Sequence, residues 1–210
     1  MNKFSIETVP CFPSTVFILD LEEDFLNFGE KLKNNYRMTS TNQSDSIGSY
    51  ISESLTVLDD FPNEKNILVD YFNFIKNEIL FYEETEFKIT TSWITKTCEK
   101  SFSHFHVHKN CMFSGVFYFD DDYESSSGFI EFRMPGFKSD SFSVIPSKTN
   151  IYNVDEFRVK PIKNRLIIFP SYLPHRINST NSLKTRYSLA FNLFPVGQIG
   201  FKDSSVRVTI

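Results

Sequence analysis

Ser103-His104-Phe105-His106-Val107-His108-Lys109-Asn110-Cys111-Met112-Phe113-Ser114-Gly115-Val116-Phe117-Tyr118-Phe119 is the stretch that organises the chain. It holds three of the four histidines, each separated from the next by one apolar residue. The fourth, His175, follows Phe169-Pro170-Ser171-Tyr172-Leu173-Pro174. Side chains of a strand point alternately to opposite faces, so His104, His106 and His108 share one face, and Phe105 and Val107 the other. One face then suits a metal and the other a core. Residues two apart lie about 6.6 Å apart along a strand, so neighbouring histidines can grip one ion from two sides. His104 and His108, about 13 Å apart, are near the limit of reach. One metal therefore takes either His106 with His108 or His104 with His106, and His175 is the remaining histidine that can complete the set. Neutral imidazole suits Fe, Zn, Cu or Ni. A lone histidine is most often a packed or surface residue; three in alternation are much less often so, and the metal reading is preferred.

The totals set the bounds. A chain of 210 residues with 40% hydrophobic content can bury the core of one large domain. The expected division is a single domain, 1–210, with residues 1–87 as helical and extended support and 88–195 as the β core. The 24 phenylalanines predict a core built from rings and carry no functional meaning by themselves. A net charge of −4 argues against tight, nonspecific nucleic-acid binding. Cys11, Cys98 and Cys111 are odd in number and far apart, which fits a reducing cytoplasm better than a disulfide framework. The first residues lack an apolar signal core, and no window approaches a membrane span.

Working outward, residues 4–19 read as extended, interrupted at Pro10 and Pro13. Asp20 is placed to cap a first helix over 21–36, with Leu21, Phe25, Phe28 and Leu32 at helical spacing. Residues 37–61, rich in Ser, Thr and Asn, read as a surface loop. Asn63 opens a second helix to about 82 with a wide apolar face of Ile67, Leu68, Phe72, Ile75 and Ile79. From residue 88 the texture becomes short β-like runs. These are 89–97, with Trp93 read as core, then 104–108, 111–119, 129–134, 165–169, 175–177 and 185–194. Asp120-Asp121-Asp122 lacks the spaced carboxylates of a calcium loop and reads as a solvated turn. Helices followed by seven to nine short strands predict a mainly β fold, a jelly roll with helices on one outer face.

Four pieces, in order, carry a family resemblance. His106-x-His108-x-Asn110-x-x-x-Ser114-Gly115-Val116-x-Tyr118 is similar to the 2-oxoglutarate/Fe(II) oxygenases of a family common in bacteria and phages. Ser92-Trp93 lies upstream as the family's Ser-Trp does. Leu166 to His175 resembles its strand followed by Phe-Pro-Ser, an aromatic residue and Leu-Pro-His. Arg186-Tyr187-Ser188-Leu189-Ala190-Phe191-Asn192 resembles its closing Arg-x-Ser-x-x-Phe-Asn. The match covers about 88–195. It implies a double-stranded β-helix, cupin-like, that uses Fe(II), 2-oxoglutarate and O₂. It also implies His106, His108 and His175 as metal ligands and catalytic residues, because Asn110 fixes the frame; His104 then lies outside the ligand set.

The chain departs from the class in two respects, the extra imidazole of His104, which offers a competing register, and the ligand set itself. Iron sites of this kind use two histidines and a carboxylate. Here His108 stands where the carboxylate is expected, and residues 101–114 contain no Asp or Glu. Arg186 has an independent case, because a dicarboxylate co-substrate needs a guanidinium for its far end. Arg186, Ser188, Ala190 and Asn192 share a strand face, and Tyr187, Leu189, Phe191 and Leu193 share the other. Co-substrate contacts are therefore expected from Arg186 and Ser188, and from Tyr118 with a buried core tyrosine as the equal alternative; the resemblance implies Asn110 as a further contact. The expected activity is hydroxylation of a substrate left open among protein side chain, nucleic acid and small molecule, with no membrane partner and a homodimeric assembly. The alternatives are a non-catalytic cupin-like binding module and a three-His dioxygenase that does not use 2-oxoglutarate.

Overall fold

Alternating side chains extend well beyond the histidines and build two antiparallel sheets. The computed structural model describes residues 7–8, 13–22, 25, 27–41, 46–82, 85–120, 123–124, 127–136 and 145–210. Its strands are β1 (Phe17–Asp20), β2 (Met38–Ser40), β3 (Ser46–Ser52), β4 (Glu86–Ser103), β5 (Phe113–Tyr118), β6 (Ile130–Arg133), β7 (Glu156–Val159), β8 (Arg165–Pro170), β9 (His175–Ile177), β10 (Arg186–Ile199) and β11 (Val206–Val208). Two α-helices, α1 (Phe28–Asn35) and α2 (Pro62–Glu78), and two short 3-10 helices, Val57–Asp60 and Lys202–Ser204, complete the described residues. The larger sheet runs β1-β8-β5-β10-β4-β3-β2, with β11 paired to β10; the smaller runs β7-β6-β9. This is the mainly β, jelly-roll architecture of a double-stranded β-helix.

The larger sheet has two distinct faces. Phe113 and Phe117 of β5, Leu166 and Ile168 of β8, and Leu189, Phe191 and Leu193 of β10 point outward. There they bury against Phe28 and Leu32 of α1 and Leu68, Phe72 and Ile75 of α2. The interleaved residues Val116, Tyr118, Ile167 and Phe169 point inward against Ile130 and Phe132 of β6 and Val159 of β7. Rings carry much of the outer layer: Phe72 meets Phe87 and Phe113 at 5.0 and 5.1 Å. Such contacts bury large areas in tilted and edge-on geometry.

Several expectations are corrected. The first helix begins at Phe28, because Asn27 sits in the left-handed region at φ 63 and turns the chain there. Asp20 caps nothing; it ends β1 and accepts hydrogen bonds from Arg165 at 2.7 and 2.8 Å. The stretch read as a loop, 37–61, contributes β2 and β3 to the larger sheet. The second helix starts at Pro62, where a missing N–H costs nothing, and ends at Glu78. Asp120 is buried and ion-paired with Lys33 rather than solvated; Asp121 and Asp122 lie outside the described residues, as does most of the run before Pro13. Finally, 104–108 is not a ladder strand. After β4 ends at Ser103 the chain stays extended with a single bridge, His106 to His175.

Candidate active site

Backbone hydrogen bonds seat that extended segment against the approach to β9. His106 N donates to His175 O and His175 N to His106 O, both at 3.0 Å, and His108 N donates to Ser171 O at 3.0 Å. The alternation survives without a full ladder. His106, His108 and His175 converge, each offering one nitrogen within 4.8 Å of the others. The Nε2 atoms of His108 and His175 are 3.2 Å apart. The Nδ1 atoms of His106 and His175 lie 2.9 Å from the carbonyls of His104 and Leu173. A ring whose Nδ1–H is held by a carbonyl presents a bare Nε2 lone pair, the arrangement that orients histidine ligands. Burial lowers the pKa of His108 to about 4 and of His175 to about 3, with the neighbouring imidazole of His106 adding repulsion. Both rings are therefore neutral near pH 7, the form that binds a metal.

His104 lies outside this group. Its ring is exposed and packs edge-on to Phe102 at 5.4 Å, and it serves the site through its backbone carbonyl alone. Among the described residues no carboxylate joins the three imidazoles.

A cavity of about 340 Å3 opens in front of them, between the two sheets. Its far end is formed by Arg186, the first residue of β10, which is 2% exposed. Arg186 donates one hydrogen bond, from Nη1 to the Gly128 carbonyl, and its guanidinium lies 5.3 Å from the centre of the Tyr118 ring. Among the described residues, the buried side-chain polar atoms without a partner are two: Arg186 Nε and the Tyr118 hydroxyl. An unsatisfied buried donor costs about 1–3 kcal/mol, more when charged. Arg186 lines the cavity, and its free donor suits a ligand with acceptor oxygens, whereas Tyr118 packs in the inner core behind the guanidinium and is not part of the lining. Burial raises the Tyr118 pKa, so the phenol keeps its proton and can donate it. Ser188 is buried in the same wall.

Sheet register explains the rest of the lining. Ala190 pairs with Trp93, Ser188 with Thr95 and Arg186 with Thr97, so these residues share the inner face. Ser49 and Ile51 of β3 extend it. Trp93, read from sequence as core, instead faces the cavity, its ring 5.5 Å from that of His108. Alternation from Arg186 across to β4 is the signal that places it there, once the strand pairing is known. Asn110 departs from its expected role. It is exposed in a bend at φ 58, one of the few left-handed non-glycine residues, and does not line the cavity. Asparagine tolerates that conformation, so its position after the histidines is a turn requirement. The other motif residues form a hydrogen-bonded chain behind the site. Ser114 Oγ lies 2.9 Å from Ser171 Oγ and 2.8 Å from Asn192 Oδ1, and Asn192 Nδ2 donates to Thr91 at 2.9 Å. Ser171 also holds His108 through its carbonyl, so this chain braces the ligand loop.

Residues 91–192 match the family model described as "Putative 2OG-Fe(II) oxygenase". No curated protein matches the sequence. Among solved structures, a prolyl-4-hydroxylase of Pseudomonas putida has 16% identity and a TM-score of 0.56, over 85% of this chain and 92% of that one. A 2OG-Fe(II) oxygenase family oxidoreductase from Burkholderia pseudomallei has 12% identity and a TM-score of 0.57, over 85% and 84%. HygX from Streptomyces hygroscopicus, crystallised with nickel, 2-oxoglutarate and hygromycin B, has 8% identity and a TM-score of 0.57, over 87% and 83%. At these identities the likeness is one of fold.

Proposed function

Residues 91–192 belong to the 2OG-Fe(II) oxygenase family, the chain is accordingly an Fe(II)- and 2-oxoglutarate-dependent oxygenase, and from that premise we propose which residues do the work. His106, His108 and His175 hold the iron, and Arg186 and Ser188 take the far carboxylate of 2-oxoglutarate, with the Tyr118 ring behind the guanidinium. The observation that carries this assignment is the buried Arg186 with an unpartnered Nε, at the end of the cavity that the three imidazoles open into. The donor set fits a borderline metal such as Fe(II). Three neutral ligands leave the cation its full charge, so a dianionic co-substrate is required more strongly here than where a carboxylate ligand is present. Bound iron with 2-oxoglutarate supplies O₂ activation and oxidative decarboxylation to succinate. The chain's own part is to orient and to exclude water. Carbonyls fix the imidazoles, the fork of Arg186 anchors the dicarboxylate, and the inter-sheet core dries the cavity.

Calorimetry under anaerobic conditions with Fe(II) tests the assignment. Wild type binds 2-oxoglutarate, and Arg186→Ala, which leaves the far carboxylate without its cation, binds it more weakly by about 2–5 kcal/mol. Equal affinity in the two proteins, or no binding by wild type, overturns the role of Arg186. We place the protein in a reducing cytoplasm, a reading supported by Cys98 and Cys111, both free thiols. No helix among the described residues is long and apolar enough to cross a membrane. A homodimer remains our proposed assembly, with sedimentation equilibrium as its test.

A further inference from the structure

His108 borders more than the cavity that ends at Arg186. A separate groove of about 500 Å3 shares His108 with it as a lining residue. Its walls are Phe17, Tyr82, Met112, Tyr172, Phe194 and three prolines, and among the described residues they include no Asp, Glu, Lys or Arg. The contrast with the first cavity is chemical. That one presents hydroxyls of Thr95, Thr97 and Ser188 and ends in a guanidinium; this one presents ring faces. Three large side chains stand open to solvent around the groove, Tyr172 at 59%, Tyr82 at 40% and Met112 at 38% exposure. The turn after β8 explains the first of them: Leu173 N bonds back to Pro170 O, which buries Ser171 and Leu173 and throws Tyr172 outward.

We propose that this groove receives the primary substrate, and that it takes an uncharged small molecule by stacking a flat ring beside His108. The inference rests on the reading of His108 as a metal ligand. Among the described residues a charged group entering here meets no Asp, Glu, Lys or Arg in the walls, whereas a ring gains aromatic and prolyl side chains to pack on. The volume lies in the range of about 300–1,000 Å3 usual for small-molecule sites. With 2-oxoglutarate in one hollow and substrate in the other, the two ligands share only His108 as a border and do not compete.

The test uses p-cresol as the probe, with the full chain loaded with Zn(II). Saturation-transfer NMR detects p-cresol bound to wild type, and the signal persists when 2-oxoglutarate is added. It falls at least threefold in Tyr172→Ala, an exposed position whose loss leaves the fold intact, and in Met112→Glu, which puts a charge into the groove. The carboxylated analogue p-toluate gives less than a third of the p-cresol signal. Replacing Zn(II) by Mn(II) broadens the p-cresol resonances, because the ring lies near the ion. No p-cresol signal, displacement by 2-oxoglutarate, equal binding of p-toluate, or indifference to both substitutions overturns the groove assignment while metal binding stands. Binding of p-cresol by a protein that takes up neither ion overturns the reading of His108, and the substrate role of the groove with it.

Discussion

At His108 and His175 burial works against protonation, and the consequence is measurable. An unfolded chain protonates these rings through the ordinary value of 6.5, whereas the folded protein resists to about 4 and about 3. Between those limits the unfolded state binds more protons, so stability rises with pH there. It is fully present above pH 6.5 and drains away as pH falls toward 4. The thermal midpoint of the metal-free protein should therefore drop across that window, and Zn(II) should delay the drop by occupying the same nitrogens. Calorimetric scans from pH 7.5 to 4 check both. Two substitutions separate ligand from bystander. His104→Ala keeps the carbonyl that holds His106 and should leave metal affinity within about threefold. His108→Ala should cost more than the 10–100-fold typical of losing an outer partner. From sequence, alternation left the choice of histidine pair open, and the family frame selected 106 and 108; in the structure these two lie close to His175. Asn110 misled because a turn residue and a ligand-binding residue occupy the same place in a motif.

Among the elements, β10 was readable and β3 was not, for one reason. In β10 the outward residues Leu189, Phe191 and Leu193 are apolar and the inward ones are Arg186 and Ser188, so the period of two stands out. In β3 the polarity is reversed. Ser49 is buried where the strand lines a polar cavity, Ser52 is buried on the opposite face where its hydroxyl accepts from Ile94 N at 3.0 Å, and Ile47 and Tyr50 are exposed. A rule that expects apolar side chains inside mistakes such a strand for a loop. The pairing of β5 with β10 also makes a sharp steric demand. A Cβ at Gly115 would stand 2.2 Å from Phe191 Cζ, a ring atom with no exposure and no room to swing. Gly115→Ala should destabilise by about 1–3 kcal/mol, the usual effect of overpacking. Adding Phe191→Leu should recover part of that loss, giving a coupling between the two positions in denaturant melts. If the two effects simply add, the ring contact is not the cause.

For the molecule as a whole, the site is assembled from widely separated pieces on both sheets, which is why its walls could not be listed from sequence while its chemistry could. The motifs carried the histidines and the arginine; only strand pairing shows that Trp93 and Thr95 stand across from Ala190 and Ser188. Trp93 is the sole tryptophan, so its emission reports on the cavity alone. With its ring 5.5 Å from that of His108, Co(II) at the three histidines should quench it strongly, and Zn(II) should not. Stopped-flow fluorescence checks this, and an indole that ignores Co(II) would remove the metal from the proposed place.

The edge strand β1 has a different kind of consequence, one of timing. Its ladder partner is β8, and the Arg165 to Asp20 contact spans 145 residues of chain. At a synthesis rate of about 5–20 residues per second, the first strand waits about 7–30 s for its partner to be made. Until then its backbone groups are unpaired, and after β8 emerges its free edge is open to any other strand that arrives first. A nascent chain stalled before residue 165 should expose that hazard as aggregation, and releasing the stall should relieve it.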